Sequence, residues 1–159
     1  MYRIVNMTIC FEVNSRLEPN DFPNYDPYYF SGNILNCGKV KVLIYRSNKV
    51  NVVGAKSLDE ATNVLINVLP NYSIVKSKIV NIVASGTIDF PINLNKIIQY
   101  PEFTWEPELF PGIMFRVGKQ VAIFFSSRKF NIVGSKSMST LENFYYEFIN
   151  TLRRRVNGD

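Results

Sequence analysis

Two sets of side chains with one spacing carry the chemistry this chain offers. Tyr45, Ser47, Lys49, Asn51 and Val53 alternate along one stretch, and Phe125, Ser127, Lys129, Asn131 and Val133 repeat them 80 residues later. An aromatic ring stacks on a planar partner, an asparagine donates and accepts, and a lysine ammonium pairs with an anion. Such a set is suited to binding. The 159 residues include no histidine. That excludes Ser-His-Asp and Cys-His nucleophiles and every His-ligated metal. Only a paired-carboxylate or lysine-based enzyme stays open. Cys10 and Cys37 are too few for a disulfide framework or a zinc site, and fit a reduced, intracellular setting. No metal or cofactor is expected.

The elements that position these residues follow from a repeat. Gly38 to Ser57 and Gly118 to Ser137 share nine of twenty positions. The same offset pairs Asp26-Pro27-Tyr28-Tyr29-Phe30-Ser31-Gly32 with Glu106-Pro107-Glu108-Leu109-Phe110-Pro111-Gly112, both acidic-Pro-x-x-Phe-x-Gly. Upstream, Ile4-Val5-Asn6-Met7 answers Ile79-Val80-Asn81-Ile82 at an offset of 75. Three blocks in one order imply two copies, repeat one over 1–75 and repeat two over 76–157. Two units are too few for a solenoid. A single pseudo-two-fold domain over 1–159 is expected, and 47% hydrophobic residues suffice for its core. No apolar run is long enough for a membrane span, and no signal peptide is expected. A net charge of +5 permits an anionic partner without demanding one.

Each copy opens with a run rich in β-branched and aromatic residues, Arg3–Val13 and Lys78–Asp89, which predicts a strand. A proline-containing stretch with at most a short helix follows. Three apolar runs broken by hairpin turns come next; in the second copy they are Phe110–Val117, Gln120–Ser126 and Lys129–Gly134. Each copy closes with an amphipathic helix. Ser57 with Glu60, and Ser139 with Glu142, fit capping boxes at its start. Hairpins backed by helices predict an α+β fold with an antiparallel sheet covered on one face. Ile44, Val50, Val52, Phe124, Phe130 and Ile132 suit the helix side. The open face then mixes aromatics, Asn, Ser and Val, rimmed by Lys. That composition suits the DNA minor groove, where apolar wedges unstack bases and amides read acceptors.

These residues resemble the TATA-box-binding protein family. The strongest match is Glu106-Pro-Glu-Leu-Phe-Pro-Gly112, followed by Arg116 and the Phe-x-Ser-x-Lys run at Phe125–Lys129. Lys78–Ser85 and Phe90-Pro-Ile-Asn-Leu94 match the second repeat in order; Ile4–Asn6, Leu43–Tyr45 and Val53–Lys56 match the first more loosely. The resemblance implies a saddle, a curved antiparallel sheet of about ten strands with helices on the convex face. It implies DNA wedges at Phe30, Tyr45, Phe110 and Phe125. Such wedging, known in this same family, trades unstacking for a bent duplex that contacts more protein. It implies groove contacts from Asn6, Thr8, Asn51, Val53, Asn81, Val83, Asn131 and Val133, and phosphate contacts from Lys49, Arg116 and Lys129. Glu106, Glu108 and Leu109 match a contact for a transcription factor IIB-like protein. The implied function is promoter recognition, bending of A·T-rich DNA and recruitment of that factor and the RNA polymerase machinery, in the nucleus or in a viral transcription compartment, without catalysis.

The chain departs from the family pattern at several positions. Tyr45 stands where a wedge phenylalanine belongs, and Asn51-x-Val53 and Asn131-x-Val133 replace Val-x-Thr. Tyr29 and Asn36 occupy places of first-repeat arginines. The first closing helix, Ser57–Leu69, has no Lys or Arg. These changes keep a second reading open, a protein-interaction module with weak or lost DNA binding. Related domains are also appended to glycosylases and ribonucleases, but no residues remain here for a catalytic domain. High Asn, Ile and Tyr suggest an A·T-rich genome, as of a large DNA virus or a reduced eukaryotic parasite. Pairing of free copies through an apolar sheet face also stays open.

Overall fold

A computed structural model describes residues 1–159. Its strands are β1 (Tyr2–Val13), β2 (Asn33–Cys37), β3 (Val40–Ile44), β4 (Lys49–Ala55), β5 (Ile74–Thr87), β6 (Phe103–Thr104), β7 (Ile113–Val117), β8 (Gln120–Phe124) and β9 (Lys129–Ser135). The helices are α1 (Leu58–Val68), α2 (Leu94–Ile97) and α3 (Met138–Val156). The strand order is β2-β3-β4-β1-β5-β9-β8-β7-β6. The chain forms two compact units, Val5–Asn81, and Ile82–Asp159 together with Met1–Ile4. No helix is long and apolar enough to cross a membrane.

In the unit Val5–Asn81, period-two alternation decides which face is buried. Ile9 pairs with Val52 and Phe11 with Val50 across β1 and β4, and all four are buried. Val40, Val42 and Ile44 of β3 join them. Ala61 and Leu65 of helix α1, with Leu69 just beyond its end, are buried against this face. Each large side chain buried here contributes roughly 1.5–3 kcal/mol. Ser57 caps the helix, its hydroxyl accepting from Glu60 N–H at 3.1 Å. The Glu60 carboxylate reaches back one residue further than a capping box requires, to Lys56 N–H at 2.9 Å. Leu69 leaves helical geometry at ψ 63°, and Pro70 follows.

The second unit repeats this arrangement with bulkier packing. Phe148 of α3 lies 5.7 Å from Phe115, 5.5 Å from Phe124 and 5.6 Å from Phe130, ring centre to ring centre. Tyr2, delivered by the start of β1, meets Tyr145 edge-on at 4.8 Å. The N-cap of α3 is Ser137, not the expected Ser139: its hydroxyl accepts from Thr140 N–H, and Thr140 Oγ1 accepts from Ser137 N–H. Threonine thus closes the box that Glu142 was expected to close. At the other end, both Nε and a terminal nitrogen of Arg155 bond to Glu102 Oε1, and the guanidinium lies 4.5 Å from the Tyr100 ring centre.

The sheet has nine strands where about ten were expected. β6 pairs with β7 through Phe103 and Phe115, and the first copy has no equivalent. Pro19, Pro23 and Pro27 crowd that stretch and lack the N–H groups a ladder needs. The buried Asn33 substitutes: its side-chain amide donates to the carbonyls of Pro19, Phe22 and Pro23 at 3.0, 3.2 and 3.2 Å.

Candidate nucleic-acid interface

Each unit leaves the sheet face opposite its helix uncovered, and register places the repeated residues there. Ile34, Leu43, Asn51 and Cys10 form one cross-strand row. Met114, Ile123, Asn131 and Ser85 form the equivalent row in the second unit. A neighbouring row holds Thr8, Val53, Lys41 and Asn36, answered by Val133, Val121 and Arg116. Asn51, Val53, Val83 and Val133 are half-buried, and Asn131 is exposed.

At one end of each face two aromatic rings meet. Phe30 and Tyr45 lie 5.9 Å apart at 71°; Phe110 and Phe125 lie 6.0 Å apart at 68°. The edge-to-face contact suits the ring quadrupoles and leaves one face of each pair free. The motif's spacing explains the geometry. In both copies the acidic residue's carbonyl accepts from the N–H groups three and four residues on, at 3.2 and 3.1 Å from Asp26 and 3.0 and 2.9 Å from Glu106, which carries the phenylalanine back over the sheet. The closing glycine makes room for it. A Cβ on Gly32 would stand 2.8 Å from Phe30 Cε1, and one on Gly112 2.6 Å from Phe110 Cε1. Phe125 begins the connection to β9 rather than ending β8. Its N–H donates to the Lys129 carbonyl at 3.1 Å, closing a three-residue turn in which Arg128 takes a left-handed φ of 67°.

Asn6 is oriented by its own fold. Its Oδ1 accepts from Gly54 N–H at 2.8 Å, at a bulge where Gly54 has φ 97°. Only the oxygen can accept, so the amide nitrogen is left as a donor. Asn81 takes the corresponding place on β5 and is half-buried.

The cations differ between units. Lys49 Nζ lies 3.9 Å from Glu12 Oε1, its direct cross-strand neighbour. Arg46 and Arg16 both pair with Glu18, at 2.9 and 3.2 Å. The hydrogen bond from Arg46, helped by Arg16, holds the Glu18 carboxyl below its usual pKa. In the second unit Lys129 faces Thr87, and Arg116, Arg128 and Lys129 make no ion pair. A cleft of about 820 Å³ brings Phe125, Lys129 and Asn131 together with Arg3. Sequence reasoning missed Arg3, Glu12 and Glu18. Arg3 had a signal, because Lys78 answers it at the offset of Asn6 and Asn81; the carboxylates occur in one copy only.

Glu106, Glu108 and Leu109 stand together on an exposed turn, with Leu109 81% accessible. Tyr28 and Tyr29 crown the corresponding turn of the first copy, 100% and 84% accessible.

A twice-repeated sheet, packed by helices on one face and presenting paired aromatics on the other, defines a binding protein built from two copies of one unit. Comparison with known proteins makes this specific. The model of the family described as transcription factor TFIID (or TATA-binding protein, TBP) matches residues 76–155. The TATA-box-binding protein of Methanocaldococcus jannaschii is 31% identical over 173 residues, covering 95% of this chain and 93% of that protein. That of Sulfolobus acidocaldarius is 37% identical over 145 residues, covering 83% and 73%. The solved structure of Methanococcus jannaschii TBP superposes with a TM-score of 0.85 at 28% identity, covering 96% of this chain and 98% of that one. The chain belongs to the TATA-box-binding protein family, whose members are DNA-binding transcription factors and not enzymes.

Proposed function

We propose that this protein is a transcription initiation factor that binds A·T-rich promoter DNA in the minor groove, bends it, and presents the Glu106–Leu109 turn to a factor-IIB-like protein. The observation that carries this reading is the pair of matched aromatic contacts, Phe30 with Tyr45 and Phe110 with Phe125. Each pair stands at the end of an uncovered face whose central residues are apolar or amide-bearing. Apolar wedges there would unstack base steps, and the amide donor left on Asn6 fits the adenine N3 and thymine O2 acceptors of the groove floor. Exposed Arg116 and Lys129, with Arg3, suit the phosphates on either side. The exposed acidic and apolar side chains of Glu106, Glu108 and Leu109 suit a protein partner carrying a cation beside a small apolar pocket.

A second reading, an interaction module with little DNA binding, is favoured by the pairing of Lys49, Arg46 and Arg16 with carboxylates. One titration separates the two. An A·T-rich duplex labelled at both ends, and a G·C-rich control, are followed for binding and for the energy transfer that reports bending. A·T-preferred binding with a bend lost in Phe110→Ala/Phe125→Ala supports the initiation factor. Weak, unbent binding indifferent to that double variant supports the module.

A further inference from the structure

We propose that Glu12 and Glu18 are a brake on DNA engagement, holding Lys49, Arg46 and Arg16 to themselves so that the end of the face beside Tyr45 grips phosphate less than the end beside Phe125. The inference rests on the DNA-binding reading above and concerns which residues set its strength. Beside Tyr45, every cation at that end of the face has a carboxylate partner: Lys49 has Glu12, and Arg46 and Arg16 share Glu18. Beside Phe125, the equivalent end carries Arg128 and Lys129 with none. For the two lysines the cause is one substitution in the repeat. β1 places Glu12 opposite Lys49, and β5 places Thr87 opposite Lys129.

These ion pairs are exposed, with Lys49 60% and Glu12 32% accessible, so they add little to folding. Their effect falls on binding instead. A phosphate approaching Lys49 must displace a carboxylate and then lie beside it, and like charges a few ångströms apart repel. Lys129 meets a phosphate with no such competitor. Two lysines at equivalent repeat positions therefore make unequal contributions to affinity.

The test uses the full chain on the A·T-rich duplex at several salt concentrations. Lys129→Gln is expected to weaken binding about fivefold and to reduce the salt slope by about 0.9, the loss of one phosphate contact. Lys49→Gln is expected to change affinity less than about twofold while Glu12 is present. Glu12→Gln should strengthen binding and steepen the slope, and adding Lys49→Gln to it should abolish that gain. Glu18→Gln should do the same through Arg46 and Arg16. Thr87→Glu, which gives Lys129 the missing partner, should mimic Lys129→Gln. Equal losses from Lys49→Gln and Lys129→Gln, or no change of slope in both Glu12→Gln and Glu18→Gln, would overturn the brake and leave the DNA-binding reading intact. Absence of A·T-preferred binding by the unaltered protein would overturn both. A purely structural role for Glu12 would shift the melting temperature without moving the salt slope.

Discussion

At the scale of single residues, Asn6 and Gly112 do the most with the least. Asn6 engages its oxygen with Gly54, which leaves both amide hydrogens to donate. Asn6→Asp keeps that acceptor and removes the donors, adding a charge that repels phosphates. Thermal stability should stay within about 1 kcal/mol of the unaltered protein, while A·T-duplex affinity falls about tenfold or more. A titration calorimeter and a melt read the two effects separately. Gly112 lies under two rings at once, since an added Cβ would sit 2.6 Å from Phe110 Cε1 and 3.1 Å from Phe125 Cε1. Gly112→Ala should therefore push the pair out of its edge-to-face contact. Loss of DNA bending with retained helix content by circular dichroism is the expected result.

At the scale of elements, α3 is anchored at both ends. Ser137→Ala should lower stability by about 1 kcal/mol, and Ser139→Ala by a few tenths, as the denaturation midpoints will show. At the other end, the hydrogen bonds from Arg155 hold the Glu102 carboxyl below its usual pKa. A lowered carboxylate pKa contributes stability above the unfolded value of about 4.3 and loses it as pH falls through the folded value. Unfolding of the unaltered protein and Glu102→Gln should differ most at neutral pH and converge in acid. Much of this scale was legible in the sequence, because two copies vouch for each other. The paired strands, both closing helices and the aromatic pairs all recur. What was illegible occurs once. Thr140 could not be distinguished from Glu142 as the closing residue when serines stood at both 137 and 139. β6 is two residues long, with no counterpart. Glu12 and Glu18 belong to one copy, so a search for what the copies share passes over them.

At the scale of the whole molecule, the two units are alike in plan and unlike in substance. The second has a phenylalanine cluster at positions where the first, Phe11 apart, has aliphatic residues: Phe124 and Phe130 answer Ile44 and Val50. Phe148→Ala, which empties the centre of that cluster, should cost about 3–5 kcal/mol, measurable as a large drop in denaturation midpoint. The equivalent helix position of the first unit is Val68, only half-buried, and Val68→Ala should cost far less.

The membership of Met1–Ile4 in the unit otherwise built from Ile82–Asp159 bears on how the chain reaches its native state. During synthesis Tyr2 is made long before Tyr145, the ring on which it packs. Residues 1–4 must wait until α3 has been made. Contacts of such long sequence separation are slow to close, so folding is expected to be limited by late docking of this segment rather than by formation of any single helix. The unit Val5–Asn81 can condense as it leaves the ribosome; the other cannot be finished until residues 1–4 return to it.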